Sequence, residues 1–237
     1  MECIAKTDKG LVRSTNQDSF AYGKIADFVW AVVCDGMGGT SGGSIASEIT
    51  VSRFKDTAEN MGLAVSRSKE AFHTSAINSA NALIFDKASN DADLKGMGTT
   101  VVSVVVSDGI AYIAHVGDSR AYHIKDGKVS FVTKDHSMLQ SLVETGKISD
   151  EEAKNYKHKN IITRAVGVEE SVNIDFDEIC ATDGYILLCT DGLTNMLSEE
   201  TICEIITDDY ESSAQKLVAA ANEKGGHDNI TALVIKL

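Results

Sequence analysis

Two apolar runs in this chain break off in the same way. "FVWAVVCDGMGG" stops on Asp35-Gly36, and "YILLCTDGL" stops on Asp191-Gly192. Asp-Gly between two strands is the signature of a hairpin turn. Each of these pairs leads instead into glycine-rich or helical sequence, so a hairpin does not account for them. Two more aspartates hold comparable places: Asp118 in "VGDSR", between strand-like runs, and Asp228 in "GGHDN", just before the last one. Carboxylates gathered at one spot repel one another unless cations neutralise them. An oxygen-only set without cysteine suits hard divalent cations such as Mg²⁺ or Mn²⁺ rather than structural zinc. Taken alone, each aspartate reads as well as a helix cap or a solvated turn residue. The set is what points to a metal centre.

Aspartates this far apart in sequence converge only if sheets deliver their strand ends to one edge. Residues 43–60 and 64–89 are alanine-rich and apolar at helical spacing, which predicts two long helices. From residue 99 the texture changes: "TTVVSVVVS", "IAYIAHVG", "RAYHIK" and "KVSFVT" are β-branched or alternating. Asp108-Gly109 and Asp126-Gly127 join them as predicted hairpins. Residues 137–165 are polar and predict short helices with irregular chain. Strand pattern returns over 172–190 through a third predicted hairpin at Asp183-Gly184. Helices are expected over 198–208 and 210–224, before a final strand, "NITALVIKL". Hairpins with grouped helices predict an α+β layered fold rather than a wound parallel sheet. No linker, repeat or low-complexity tract interrupts the chain, so one domain over residues 1–237 is expected.

Composition narrows the function. Acidic residues outnumber basic ones 35 to 22, a net charge of −13, which argues against a nucleic-acid partner, since phosphate backbones demand a basic face. A phosphate-bearing substrate would need positive charge supplied locally, and bound cations are the obvious source. No apolar run approaches the length of a membrane span, and the N-terminus "MECIAKTDKG" has no signal-peptide core. No membrane partner is expected. The five cysteines are odd in number and never in C-x-x-C spacing; most sit in apolar runs and read as buried thiols in a reducing compartment, and a cytoplasmic location is expected.

Eight stretches then fall in one order: "GLVRSTNQDSF", "VVCDGMGG", "GMGTTVV", "HVGDSRAY", "TKDHS", "IITRAVG", "LLCTDGLTNML" and "GGHDNITALVI". In that order and spacing they resemble the metal-dependent Ser/Thr protein phosphatases of the PP2C type, in their short bacterial form. The resemblance runs from about residue 4 to the end. It implies a four-layer α-β-β-α sandwich, two antiparallel sheets flanked by helices. It implies hydrolysis of phosphoserine and phosphothreonine by in-line attack of a water or hydroxide bridging two Mn²⁺ or Mg²⁺ ions. Asp35 would bridge the pair, the Gly36 carbonyl would bind the second ion, and Asp191 and Asp228 would complete the first ion's ligands. Asp118 would hold a third, weaker metal. Arg13 falls at the family's phosphate-binding arginine, and Asp18 at an acidic position near the second ion that acts through water. Asn229 would orient Asp228. Residues 137–165 correspond to a variable flap. The implied partners are phosphoserine and phosphothreonine proteins, with a cognate Ser/Thr kinase; a monomer is expected.

Four positions depart from the pattern. Met37 stands where animal members carry a histidine thought to protonate the leaving group; methionine cannot, so water must. Gln17 replaces one acid. Thr40 and Ser44 stand where bacterial relatives carry His and Glu. Two other functions compete. Gly39-Thr40-Ser41-Gly42-Gly43 satisfies G-x-S-x-G, with Asp191 and His227 in hydrolase order, although Ser41 lies several residues past the strand end. A phosphoprotein-binding regulator without activity is the second, although every required aspartate is present. His136 and His158 could face substrate from the flap or be structural, His115 and His123 read as structural, and Arg120 and Arg164 read as ion-paired supports.

Overall fold

The computed structural model describes all residues except 26, 40, 63–67, 150–151, 154–155 and 157–160. Its strands form two antiparallel sheets. The first runs β1 (Glu2–Asp8), β11 (Ile230–Lys236), β10 (Tyr185–Cys189), β7 (Arg120–Lys125) and β8 (Lys128–Val132). The second runs β2 (Asp18–Ile25), β3 (Phe28–Met37), β5 (Val101–Ser107), β6 (Ile110–Val116) and β9 (Asp175–Cys180), with the short β4 (Gly98–Thr99) beside the end of β3. Helices α1 (Gly42–Met61) and α2 (Lys69–Asn90) cover the second sheet. A short α3 (Met138–Glu144) follows β8, and α4 (Asp191–Thr194) follows β10; α5 (Glu199–Asp208) and α6 (Tyr210–Glu223) cover the first sheet. This is the expected four-layer sandwich.

Strand periodicity explains the layers. Along β3 the odd residues Val29, Ala31 and Val33 pack between the sheets, while Phe28, Trp30, Val32 and Cys34 pack under α1 and α2. β10 divides likewise, with Ile186 and Leu188 between the sheets and Leu187 and Cys189 under the helices. A strand covered on both faces reads as one continuous apolar run, which is why these two stood out in the sequence. Each fully buried aliphatic or aromatic side chain contributes roughly 1.5–3 kcal/mol. Serines start the helices: Ser68 accepts from the Ala71 N–H at 3.1 Å, and Ser198 from Thr201 N–H at 3.3 Å.

Two of the three expected hairpins form. β5 pairs with β6 through Asp108 and Gly109 at φ 53° and 73°, and β7 with β8 through Asp126 and Gly127 at 52° and 69°. Asp183-Gly184 does not make one. β9 pairs with β6 in one sheet, whereas β10 pairs with β7 and β11 in the other. The Asp183-Gly184 step therefore carries the chain between sheets, and only Gly184 takes a positive φ there, 89°. Strand β9 also begins at Asp175, later than the pattern from 172 suggested. The second predicted helix is observed from Lys69; its expected start lies outside the described residues. In the flap range, α3 and the returning segment after Ile161 are described, with Met138 N–H donating to Ile161 O at 2.8 Å.

Candidate metal centre

Asp35 shares the inter-sheet face of β3 with Val33 but lies beyond that strip of core, opposite Asp18 of β2 in register. Asp118 sits on the crossing from β6 to β7, where the chain passes from one sheet to the other. Asp191 opens α4 directly after β10, and Asp228 lies just ahead of β11. All four line one open cleft of about 300 Å³, together with Arg13, Gly36 and Asn229. Asp18 lies behind it: its Oδ2 accepts from the Thr190 and Thr231 hydroxyls at 2.9 and 2.7 Å.

The glycines after Asp35 and Asp191 are required by close backbone approach. A Cβ on Gly36 would fall 2.0 Å from Gly43 O on α1, and a Cβ on Gly192 would fall 2.0 Å from Asn229 O. No side chain fits at either place. Two threonines that sequence reasoning passed over then fix Asp35. Its N–H donates to Thr100 Oγ1 at 2.9 Å, and its carbonyl accepts from Thr100 N–H and the Thr99 hydroxyl, each at 2.8 Å. Thr100 Oγ1 also meets Ser119 Oγ at 2.7 Å, joining the Asp35 backbone to the loop that carries Asp118.

Asn229 acts more widely than orienting its neighbour. Its N–H donates to Asp228 Oδ1 at 2.8 Å, while its amide donates to Lys9 O and Thr15 O, both at 2.9 Å, and accepts from Gln17 N–H at 2.8 Å. It thereby ties down the loop carrying Arg13. The Gln17 side chain donates to Gly39 O at 3.0 Å, bridging that loop to the glycine turn. Met37 lines the cleft and reaches over Gly98 beside Val168.

The electrostatics of this cluster are unfavourable without cations. Burial, then the charges of Asp18 and Asp191, pushes Asp35 well above the carboxylate range. Burial and Asp191 raise Asp118 to about 7, and burial and Asp228 raise Asp191 to about 6. Asp18 also rises to about 7, chiefly through burial, despite its two hydroxyl donors. Arg13 is the one cation among the cleft's described lining residues. Asp18 Oδ1 and Asp191 Oδ1 are buried without a hydrogen-bond partner. Orphaned carboxylate oxygens in an oxygen-only set fit hard divalent cations.

None of the remaining described candidates lines this cleft. His115 Nε2 donates to Lys134 O at 2.9 Å, and His123 spans Ser130 Oγ at 2.8 Å and Asp183 O at 3.0 Å, both structural as expected. His227 is exposed, and His136 is buried. Arg120 forms a two-pronged bond to Asp135, each arm 2.7 Å, and Arg164 donates to Asp175 at 2.6 Å. Ser44 donates to Ser41 O at 3.2 Å. Thr40 and His158 lie outside the described residues. No hydrogen bond joins the Ser41 side chain to a histidine among the described residues, and the antiparallel sheets are not those of a hydrolase elbow.

Known proteins resemble this chain over its whole length in sequence and in fold. The family model described as protein phosphatase 2C matches residues 12–234. The serine/threonine phosphatase stp of Listeria innocua is 38% identical, covering 100% of this chain and 96% of its own length. The solved serine/threonine phosphatase Stp1 from Staphylococcus aureus superposes with a TM-score of 0.92 at 32% identity, covering 100% of this chain and 94% of that one. The catalytic domain of the serine/threonine protein phosphatase PstP, solved with two manganese ions, gives 0.83 at 32% identity, covering 98% of this chain and 96% of that one. A full-length match in sequence and in fold, over a cleft of converging aspartates, makes this chain a member of the protein phosphatase 2C family of Ser/Thr phosphatases.

Proposed function

We propose that Asp35, the Gly36 carbonyl, Asp191 and Asp228 hold a pair of Mn²⁺ or Mg²⁺ ions, with Asp118 holding a third more weakly. The carrying observation is the convergence of these groups on one cleft with a single arginine. Bound there, the ions supply the charge that lowers the pKa of a water and orients it for in-line attack at phosphorus. Asp35 is held at both its backbone N–H and its carbonyl by the Thr99–Thr100 segment. Arg13 presents a planar fork that takes two phosphate oxygens, a geometry lysine cannot copy. The chain offers no proton donor at Met37, so solvent water protonates the departing serine or threonine oxygen. Asp18 supports the centre from behind, and Asn229 holds the Arg13 loop and Asp228 in one frame.

The substrates we infer are phosphoproteins marked by a Ser/Thr kinase of the same cell, met by the enzyme as a monomer. The manganese pair named for PstP supports the two-ion reading. Among the described residues no helix is long and apolar enough to cross a membrane. The test is phosphate release from a phosphothreonine peptide in Mn²⁺, repeated after thorough chelation. Release that stops with chelation supports the reading. Release that survives it, or that a serine-reactive fluorophosphonate blocks, refutes it.

A further inference from the structure

The "KDHS" histidine is the least explained feature of the sequence, and its hydrogen bonds are specific. His136 grips both polar groups of Gly117, the residue before Asp118. Its Nδ1 accepts from Gly117 N–H at 3.1 Å, and its backbone N–H donates to Gly117 O at 2.9 Å. Gly117 stands at φ +108°, and a Cβ there would lie 2.6 Å from Thr100 Cγ2. The Asp118 loop is thus held in a conformation that needs both the glycine and an acceptor aimed at its N–H.

That acceptor fixes the tautomer. With the Nδ1 lone pair committed to Gly117, the ring proton sits on Nε2, which faces Asp175 Oδ2 at 3.1 Å. Arg164 Nη1 donates to the other oxygen of Asp175 at 2.6 Å. His115 stacks on the ring at 4.6 Å between centroids. His115, His136 and Asp175 bring possible ligand atoms within 4.8 Å of one another. Both nitrogens of His136 are already engaged, however, so it has no lone pair to give a metal. The group is a hydrogen-bond relay, and its end is the Asp118 loop.

We propose that His136 is a positioning residue: its neutral imidazole, accepting the Gly117 N–H through Nδ1, holds the Val116–Gly117 peptide in place and so fixes the turn that aims the Asp118 carboxylate into the cleft. The inference rests on the reading of Asp118 as ligand to a weaker third cation. Asn at 136 keeps an oxygen close to the place of Nδ1, whereas Gln carries its polar end too far and Ala has none.

The test counts bound Mn²⁺ by equilibrium dialysis with electron paramagnetic resonance, using wild type, Asp118→Ala, His136→Asn, His136→Gln and His136→Ala. Melting in chelator checks the fold of each. The expected result is that Asp118→Ala, His136→Gln and His136→Ala each weaken the last Mn²⁺ about 5-fold or more, the size of one lost hydrogen bond of about 1 kcal/mol. The tight Mn²⁺ should stay unchanged, and His136→Asn should stay within about 2-fold of wild type. If Asp118→Ala weakens the last Mn²⁺ while Gln and Ala at 136 do not, or if Asn fails as Ala does, the inference alone falls. If Asp118→Ala leaves every Mn²⁺ in place, the reading of Asp118 falls and takes the inference with it. Imidazole ¹⁵N spectra of the wild-type protein need no variant: they should show the proton of His136 on Nε2, and a proton on Nδ1 overturns the proposal.

Discussion

Arg13 Nη2 donates to Asp228 Oδ2 at 2.7 Å, so the arginine assigned to phosphate and an aspartate assigned to metal are direct partners. The Arg13 side chain is 55% exposed, free to exchange this carboxylate for an incoming phosphate. Asp228 keeps its bond from Asn229 N–H in either case. Arg13→Ala should therefore raise KM about 10-fold or more, the loss of one charge-assisted hydrogen bond of roughly 1.5–3 kcal/mol, with a smaller fall in kcat. Steady-state kinetics on a phosphothreonine peptide decide this. A fall in kcat alone would assign Arg13 to the chemical step instead.

Asp35→Asn and Asp228→Asn should each cut turnover at least about 100-fold, because the ion pair loses a charged ligand. Asp35→Asn carries a second expectation. Burial and neighbouring acids penalise the charged form of Asp35, so the uncharged amide should melt at the same or a higher temperature than wild type in chelator. A variant that stayed active in Mn²⁺ would refute the bridging assignment.

The raised carboxylates set a pH dependence of definite sign. Asp18 and Asp118 titrate near 7 in the folded chain and Asp191 near 6, against 3.8 ordinarily. Between those limits the folded, metal-free chain binds more protons than the unfolded one, so these groups lower its stability as pH rises toward 7. Their effect is least below about pH 4 and complete above about pH 7. Mn²⁺ competes with the same protons. The rise in Tm on adding Mn²⁺ should accordingly be larger at about pH 8 than at about pH 5.5, measured by thermal melting in parallel buffers. An equal rise at both would contradict the cluster's assignment.

Ser41→Ala should leave turnover within about 2-fold of wild type, and fluorophosphonate should not inactivate the enzyme. Ser41 is exposed at the start of α1 and bonds no histidine among the described residues. Loss of activity would revive the serine nucleophile.

Gly192→Ala separates packing from chemistry. Its Cβ would strike Asn229 O, a backbone atom that cannot swing away. The variant should lose about 1–3 kcal/mol or more of stability, read by denaturant unfolding in chelator. Unchanged stability would show that α4 and the Asn229 turn are free to move apart.

What the sequence disclosed follows from the range of each interaction. Asp108-Gly109 and Asp126-Gly127 were legible because a two-residue turn is decided by its own φ angles. Asp183-Gly184 carries the same letters, yet its flanking strands have partners far away in sequence, in different sheets. A dipeptide dictates the shape of a turn, not which strand lies beside the next. The aspartates were legible because chemistry limits what an oxygen-only cluster at strand ends can do. Thr100 was not, and Asn229 and His136 were legible only in part, since their work is side chain to backbone bonding across the fold: Asn229 reaches Lys9 and Thr15, near the other end of the chain. Such bonds leave no periodicity to read.

The central claim is that the aspartates at these strand ends hold the ions that do the chemistry. Anomalous diffraction from crystals grown with Mn²⁺ tests it most directly. Two peaks beside Asp35, one also touching Asp191 and Asp228, are the predicted result. Saturating Mn²⁺ that leaves this cleft without a peak, or that gathers at a different set of residues, would contradict it.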